Sequence, residues 1–318
     1  MNSILIDAAI NDNQRRELLY SGQLLVCSPT PSSLALCAFA REMVSEAFHP
    51  HDPETAQDHF SVERYAAILA DIKPKFIHHP RSKEFLQGIL RELGCDMTKT
   101  YFDVPRMRTA TSGDYLKSGI AYAFHPHRDT WYSAPMCQLN WWLPMYPIVA
   151  ENAMAFHPRY WSQGVRNGSH EYNYDEWNRT SRQTAAQHIK TDTRKQPHAE
   201  EPMELDPQIR VITPPGGILL FSGAQMHSTV PNTSGKTRFS IDFRTVHLDD
   251  VRAHRGAPNV DSKCTGTTMR DYLRGSDLAH IPEELYSLYE NQPPAIGRLE
   301  PQAAPQAVSH QMLGQGRG

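Results

Sequence analysis

The hydrophobic pattern of this chain changes its period near residue 98, and that change restricts the fold more than any other feature. Before it, apolar residues recur at helical spacing in 32–48, 61–72 and 81–94. After it, Val, Ile, Tyr, Phe and Trp become frequent and turn residues return at short intervals. The sequence therefore predicts a helical part at 30–95, followed by a part that is mainly β.

Local signals set the limits of these helices. Ser32 or Ser33 is the candidate N-cap of the first helix. The second is expected to stop before Lys73-Pro74, because proline interrupts helices. The third ends on Gly94, a residue typical of helix C-termini. A short strand in 22–31 precedes all three helices and ends in a Pro-rich turn.

Short strand-like segments, separated by Gly or Pro, fill the second part of the chain. They are 118–129, 136–148, 209–214, 217–223 and 236–248. This pattern predicts an antiparallel sandwich or barrel. A polar and aromatic insertion at 157–207 interrupts it, and we expect a functional lid or a mobile loop there. The Pro-, Gln- and Gly-rich segment 291–318 is expected to be a disordered tail after a single domain of residues 1–290.

Composition excludes several classes of partner. A formal net charge of -3 provides no field that would gather nucleic acid, and no apolar window approaches the roughly 18 residues of a membrane span. The five cysteines are scattered and form no CxxC pair, which favours a reducing, cytoplasmic location. Hydrophobic residues make up 39% of the chain, enough for a sizeable core. The sequence leaves the oligomeric state open.

The stretch FHPHRDTW at 124–131 carries the clearest chemical signal. On a β-strand, alternate residues share a face, so His125, His127 and Asp129 are predicted to point the same way. His127 with Asp129 forms a His-x-Asp pair, and His125 is a rival ligand without that spacing. A 2-His-1-carboxylate metal site needs one further histidine, and this ligand set suits Fe(II).

His227 is the best candidate for the third ligand, because it follows the two-glycine turn and apolar strand of PPGGILLFSGAQMH at 214–227. Arg238 comes eleven residues later, in TRFSIDFR. Alternation predicts that Arg238 and Ser240 face a polar interior, where a guanidinium and a hydroxyl would hold a carboxylate. Arg244 lies on the same face and is the rival of Arg238.

Together, HRD, the PGG strand leading to His227, Asn232 and the Arg-Phe-Ser at 238–240 resemble the Fe(II)/2-oxoglutarate-dependent oxygenases, in particular the phytanoyl-CoA dioxygenase-like branch. The resemblance implies a fold that is mainly β with flanking helices, with a double-stranded β-helix, or jelly-roll, core at about 98–250. It also implies that His127, Asp129 and His227 bind iron.

The same resemblance assigns the cosubstrates and the reaction. Arg238 and Ser240 would bind the distal carboxylate of 2-oxoglutarate, with Gln138 and Asn140 as further contacts, and O2 would be the second cosubstrate. The expected reaction is hydroxylation of an unactivated C–H bond in a small metabolite, with release of succinate and CO2. Two alternatives stay open: a cupin-type metalloenzyme without 2-oxoglutarate, and a catalytically silent jelly-roll binding protein. Low pH is expected to weaken the site as histidines protonate.

The insertion supplies candidate substrate contacts. Arg159 and Arg166 would suit an anionic substrate, and Tyr172 and Trp177 would form hydrophobic walls. The substrate itself cannot be read from these residues.

Overall fold

The protein is described by a computed structural model that covers residues 3–116, 125–180, 196–290 and 296. Its strands are β1 (Ile4–Ile6), β2 (Leu24–Cys27), β3 (Thr100–Phe102), β4 (Arg106–Ala110), β5 (Leu139–Pro144), β6 (Met154–Phe156), β7 (Ile209–Val211), β8 (Ile218–Ser222), β9 (His227–Thr229), β10 (Arg238–His247) and β11 (Leu273–Arg274). Its helices are α1 (Asp12–Tyr20), α2 (Pro31–Phe48), α3 (Val62–His78), α4 (Pro80–Glu92), α5 (Tyr174–Thr180), α6 (Leu248–Ala253) and α7 (Glu283–Tyr286). None of these helices has both the length and the apolar character of a membrane span.

The three predicted helices are present, with two corrections at their ends. The N-cap of α2 is Thr30, not Ser32 or Ser33: its hydroxyl accepts a hydrogen bond from the Ser33 amide at 3.2 Å, and the Ser33 hydroxyl accepts one from the Thr30 amide at 2.8 Å. At the other end of this region, α4 closes as predicted, because Gly94 follows its last turn with a φ of +69°.

Helix α3 does not stop before Lys73-Pro74 but continues to His78. Ile72 and Phe76 are both buried on its inner face, on either side of Pro74. The apolar stripe therefore continues through the proline, and burial of these side chains outweighs the one backbone hydrogen bond that proline removes.

The strands form two sheets in the described part of the chain. The larger has the order β1-β2-β8-β5-β10-β3-β11, with β4 also paired to β10, and the smaller has the order β7-β6-β9. All pairs are antiparallel except β1 with β2. Trp142 and Phe221 of the larger sheet pack in one cluster with Met154 and Phe156 of the smaller. The antiparallel pairing is as predicted, whereas the double-stranded β-helix topology stays a prediction.

The strand predicted at 118–129 is wrong over its described residues. Residues 118–124 lie outside the described ranges. Beyond them, His127 makes a single bridge to His227, and Asp129 opens a 3-10 helix, Asp129–Tyr132. Pro126 has no amide hydrogen for a sheet ladder, which is consistent with this early end of pairing. His125, His127 and Asp129 therefore do not share a face by strand alternation.

Short elements also occupy the described part of the predicted insertion. Two 3-10 helices, Pro158–Trp161 and Gly168–Glu171, are followed by α5. Residues 181–195 of this insertion lie outside the described ranges, as does the predicted tail at 291–318 apart from Ile296.

Candidate metal centre

Three side chains, two from the segment 127–129 and one from the start of β9, converge at one point. His127, Asp129 and His227 each place one ligand atom there, and these atoms lie within 4.8 Å of one another. Asp129 Oδ1 is 3.4 Å from His127 Nε2 and 3.8 Å from His227 Nε2. The backbones of the two histidines exchange a pair of 3.0 Å hydrogen bonds, which hold their segments side by side. The structure thus brings together the three residues that the sequence singled out.

Hydrogen bonds fix which ring nitrogen of each histidine faces the centre. His127 Nδ1 lies 2.8 Å from the carbonyl oxygen of His125, and His227 Nδ1 lies 2.9 Å from that of Gln225. A carbonyl can only accept, so Nδ1 carries the hydrogen and Nε2 keeps its lone pair. The ring of His125 is exposed and lies near His198 instead, outside the centre.

Asp129 uses its two oxygens differently. Oδ1 faces the histidines, while Oδ2 accepts hydrogen bonds from Asn140 Nδ2 at 2.9 Å and Gln138 Nε2 at 3.1 Å. Arg244 Nε lies 3.6 Å from the same oxygen. Gln138 and Asn140 line the cavity described below, as their predicted role requires. Their contacts in this centre are with the Asp129 carboxylate. Contact with a cosubstrate stays a prediction.

The charges of these groups match a cation-binding role. Burial alone would raise the pKa of Asp129, but the adjacent His127 and the charge of Arg244 outweigh it and hold the pKa well below its usual range. Burial and the neighbouring His127 lower the pKa of His227 to about 3, so this imidazole stays neutral. The expected weakening of the site between pH 8 and 5 therefore does not come from His227.

A cavity of about 400 Å³ opens onto the centre. Arg238 and Arg244 line it, whereas Phe239, Ile241 and Phe243 face the main core, as the alternation along β10 predicts. Of the two arginines proposed as rivals, Arg244 is already paired with protein carboxylates. Its guanidinium lies next to Asp129 and donates to Asp103 at 3.1 Å. Arg238, by contrast, has no carboxylate partner within 4 Å among the described residues.

Arg238 is buried, with its guanidinium carbon 5.5 Å from the centre of the Trp142 ring. Its Nη1 donates to the Asn152 carbonyl at 2.9 Å, and its Nε has no hydrogen-bond partner among the described residues. Ser240 is also buried, and its hydroxyl has no hydrogen-bond partner among the described residues. Ser240 does not line the cavity. Burial lowers the pKa of Arg238 to about 10. A buried cation with an orphaned donor fits a carboxylate ligand.

The predicted substrate contacts divide into two groups. Tyr172 and Trp177 line the cavity, and their rings pack 6.0 Å apart. Tyr132 continues this aromatic wall inward, 5.4 Å from Tyr172 and 5.5 Å from the His127 ring. Arg159 and Arg166 do not line the cavity: both are exposed, and Arg166 donates to the Glu200 carbonyl at 2.7 Å.

Sequence reasoning missed Arg128, which stands between two of the predicted ligands. Its buried guanidinium donates to the carbonyls of Ala224 at 2.6 Å and Gln163 at 3.0 Å, and its Nε donates to Asp261 at 3.1 Å. These bonds tie the His127 segment to the loop before His227, to the insertion and to the C-terminal part. The position of Arg128 between two predicted ligands was the one signal in the sequence. Its hydrogen-bond partners are distant in sequence, so its role could not be predicted from local pattern.

Comparisons with known proteins give fold-level neighbours only. No protein-family model matches the chain, and no curated protein does. Among solved structures, the α-ketoglutarate-dependent non-heme epimerase SnoN of nogalamycin biosynthesis is 14% identical, covering 74% of this chain and 84% of SnoN with a TM-score of 0.35. The non-heme monooxygenase ThoJ is 14% identical over 84% of this chain and 82% of its own, with a TM-score of 0.38. AviO1 from Streptomyces viridochromogenes Tue57 is 12% identical over 75% and 96%, with a TM-score of 0.35. SnoN has also been solved with Fe3+, α-ketoglutarate and nogalamycin RO. The functional assignment of the present chain therefore depends on the geometry of its own site.

Proposed function

We propose that this protein is a non-haem Fe(II)- and 2-oxoglutarate-dependent oxygenase that hydroxylates an unactivated C–H bond of a small molecule. In the balanced reaction, substrate, 2-oxoglutarate and O2 give the hydroxylated product, succinate and CO2. The observation that carries the proposal is the convergence of His127, Asp129 and His227 in one cavity with the buried Arg238. The resemblance of HRD, the PGG strand before His227, Asn232 and Arg-Phe-Ser at 238–240 is the reason to keep the phytanoyl-CoA dioxygenase-like branch within the proposal.

The residues fit both groups. Two neutral imidazoles and one carboxylate are the ligand set of non-haem Fe(II) oxygenases, and the hydrogen bonds at Nδ1 turn both Nε2 atoms toward the centre. Arg238 would hold the distal carboxylate of 2-oxoglutarate; Ser240, two residues further along β10, is left out of the proposal because it does not line the cavity. When bound, the iron with 2-oxoglutarate supplies O2 activation and the oxidising power for C–H cleavage.

The chain itself positions and shields the reactants. Arg128 fixes the two histidine-bearing segments against each other, and Gln138 and Asn140 hold Asp129 Oδ2. Tyr132, Tyr172 and Trp177 cover the side of the cavity next to His127 with rings that exclude water. The reacting bond would lie between this aromatic wall and the metal centre.

The proposed substrate carries an apolar, flat portion and an anionic group. Its flat portion would pack on Tyr172 and Trp177. The cavity is lined by five basic side chains and two carboxylates, and a third carboxylate, Asp103, pairs with Arg106 and Arg244. The positive charge that remains among the described residues supports an anionic ligand in addition to 2-oxoglutarate. The basic residues are Lys73, Arg106, Arg108, Arg238 and Arg244, and the carboxylates are Asp129 and Asp242. Arg159 and Arg166 are left out of this proposal, because they lie outside the cavity.

Anaerobic titration tests the cofactor pair. Fe(II) followed by 2-oxoglutarate is expected to produce the weak visible metal-to-ligand charge-transfer band, which Asp129→Ala abolishes and Arg238→Met moves to much higher 2-oxoglutarate concentration. Iron binding without the band would remove 2-oxoglutarate and favour a cupin-type metalloenzyme. Absence of iron binding would favour a jelly-roll binding protein without catalysis.

The substrate class needs its own experiment. Succinate release in the presence of aromatic carboxylates is compared with release in the presence of their neutral amides. Stimulation by the carboxylates alone, lost in Trp177→Ala, is the expected result. Equal stimulation by both series would remove the anionic group from the proposal.

A further inference from the structure

The hydrogen bonds around Asp129 extend one step beyond the cavity wall. Gln138, which donates to Asp129 through Nε2, accepts with its Oε1 from the Tyr272 hydroxyl at 2.9 Å and from the Thr268 hydroxyl at 3.4 Å. Thr268 opens the 3-10 helix Thr268–Asp271, and Tyr272 follows it directly. Both lie beyond the predicted end of the core at about residue 250. A C-terminal segment therefore reaches a metal ligand through one glutamine.

This arrangement determines how the Gln138 amide is oriented. A carboxylate only accepts hydrogen bonds, so the amide must turn its NH2 group toward Asp129 and its oxygen away. Nε2 uses both hydrogens, one toward Asp129 Oδ2 and one toward Asn140 Oδ1 at 2.9 Å. The oxygen then points at Tyr272, whose hydroxyl donates to it. Tyr272 is fully buried, and burial raises the pKa of its hydroxyl well above the usual value, so that the donor keeps its proton.

We propose that Tyr272 is a positioning residue, which fixes the Gln138 amide so that Asp129 offers only Oδ1 to a metal. This inference rests on the proposed metal centre. Two amide donors and the nearby Arg244 occupy Oδ2, and rotation of the carboxylate to present both oxygens would break these contacts. A carboxylate that binds through one oxygen leaves more of the metal for small-molecule ligands than one that binds through two.

The test uses Co(II) alone, as a spectroscopic probe that needs neither cosubstrate nor turnover. Tyr272→Phe removes one oxygen atom from a fully buried ring. We expect Co(II) affinity to fall about tenfold, the lower end of what outer partners of metal ligands contribute, and the visible d–d bands to change. The matched control is Tyr65→Phe: Tyr65 is equally buried, and its hydroxyl bonds to Thr237 at 3.4 Å, away from the centre. Its Co(II) affinity and spectrum should equal those of the wild type.

A double-variant cycle distinguishes positioning from a general loss of packing. Gln138→Met should reproduce the loss of Co(II) affinity, and adding Tyr272→Phe to it should cost nothing more, because the hydroxyl then has no amide to orient. Additive losses, or a Tyr272→Phe spectrum identical to that of the wild type, would overturn the positioning role while leaving the metal centre intact. If the wild type binds neither Co(II) nor Fe(II), the proposed centre fails first, and this inference fails with it. If Tyr272→Phe does not fold, Gln138→Met alone can still overturn the proposal, because Tyr272 acts only through Gln138 and unchanged Co(II) affinity in that variant would exclude the role.

Discussion

The two ends of the cavity differ in how completely the protein satisfies its own polar groups. At the metal end, Asp129 Oδ2 accepts two amide hydrogen bonds and both histidine Nδ1 atoms bond to carbonyls, so Asp129 Oδ1 and the two Nε2 atoms are the atoms turned toward the centre. At the other end, Arg238 Nε is buried without a hydrogen-bond partner among the described residues. Buried polar atoms are rarely left in this state. The metal end presents acceptor atoms, which suit a cation. The Arg238 end presents a buried donor, which suits a ligand that brings acceptors.

Charge divides the two ends in the same way. At the metal end, nearby positive charge and hydrogen bonds outweigh burial and hold the pKa of Asp129 below its usual range. At the other end, burial dominates and lowers the pKa of Arg238 to about 10. Lys73 also lines the cavity, beside Arg108 and Asp242, and desolvation lowers its pKa to about 7. One end therefore stabilises its charge within the protein, whereas the other tolerates cations at a cost in folding free energy. An anionic ligand would offset that cost.

The largest effect is expected from the metal end. Asp129→Ala removes the one anionic ligand, and Co(II) or Fe(II) affinity should fall by more than about 100-fold, since even outer partners of ligands contribute 10- to 100-fold. Isothermal titration with Co(II) measures the loss. His157→Gln is the control: this buried imidazole bonds to Ser228 at 3.0 Å but does not belong to the converging triad. Unchanged metal affinity in Asp129→Ala would rule out the centre.

The next effect should fall on the other end alone. Arg238→Met is expected to leave metal affinity unchanged and to raise the 2-oxoglutarate concentration needed for half-saturation on the order of 100-fold, because a buried charged partner of the carboxylate is lost. Titration of the charge-transfer band measures this shift. Arg41→Met is the matched control, since Arg41 also donates to a backbone carbonyl, that of Met145, but outside the cavity. A loss of metal affinity in Arg238→Met would show that the two ends are not independent.

Side-chain chemistry at fixed spacing was predictable from the sequence, and backbone shape was less so. His127, Asp129 and His227 were found from residue type and order, yet the strand that was to align the first two is a bridge followed by a 3-10 helix. Convergence depends on the pairing of His127 with His227, a contact across 100 positions that no local pattern encodes. The alternation along β10 predicted the faces of Arg238 and Phe239, because that strand is regular over ten residues.

Long-range partners are what sequence reasoning could not supply. Gln138 was expected to face the site, and it lines the cavity, but its bond to Asp129 and the supporting Tyr272 depend on how the C-terminal segment packs back onto the sheet. In the same way, Pro74 predicted a helix end, and the burial of Phe76 overrode it. Local signals failed where tertiary burial competed with them.

Lys73, which lines the cavity, tests the cost of cations there through pH. Burial and the nearby Arg108 lower the pKa of its ammonium group to about 7, so the folded state loses this proton far below the pH at which the unfolded state does. The destabilisation is thus fully present below about pH 7 and disappears as pH rises toward 10.5. Lys73→Met should raise Tm by a few degrees at pH 6, and the gain should shrink at pH 8 and again at pH 10. Lys75→Met is the control, on the same helix but exposed and paired with Asp71 at 2.7 Å. A gain that does not depend on pH would mean that the buried charge is not its source.

The smallest effect is expected from arginines that lie outside the cavity. If this holds, the difference between the two ends depends only on residues that line the cavity. Arg159→Ala with Arg166→Ala removes two exposed cations, so the free energy of unfolding should change by about 0.5 kcal/mol or less. Affinity for 2-oxoglutarate should stay within about twofold, because exposed charges outside the cavity are screened at physiological salt. Thermal melts and the charge-transfer titration measure both quantities on the same sample. A tenfold loss of 2-oxoglutarate affinity would extend the positive end of the cavity to the insertion surface, and Arg238 would then no longer account for carboxylate binding by itself.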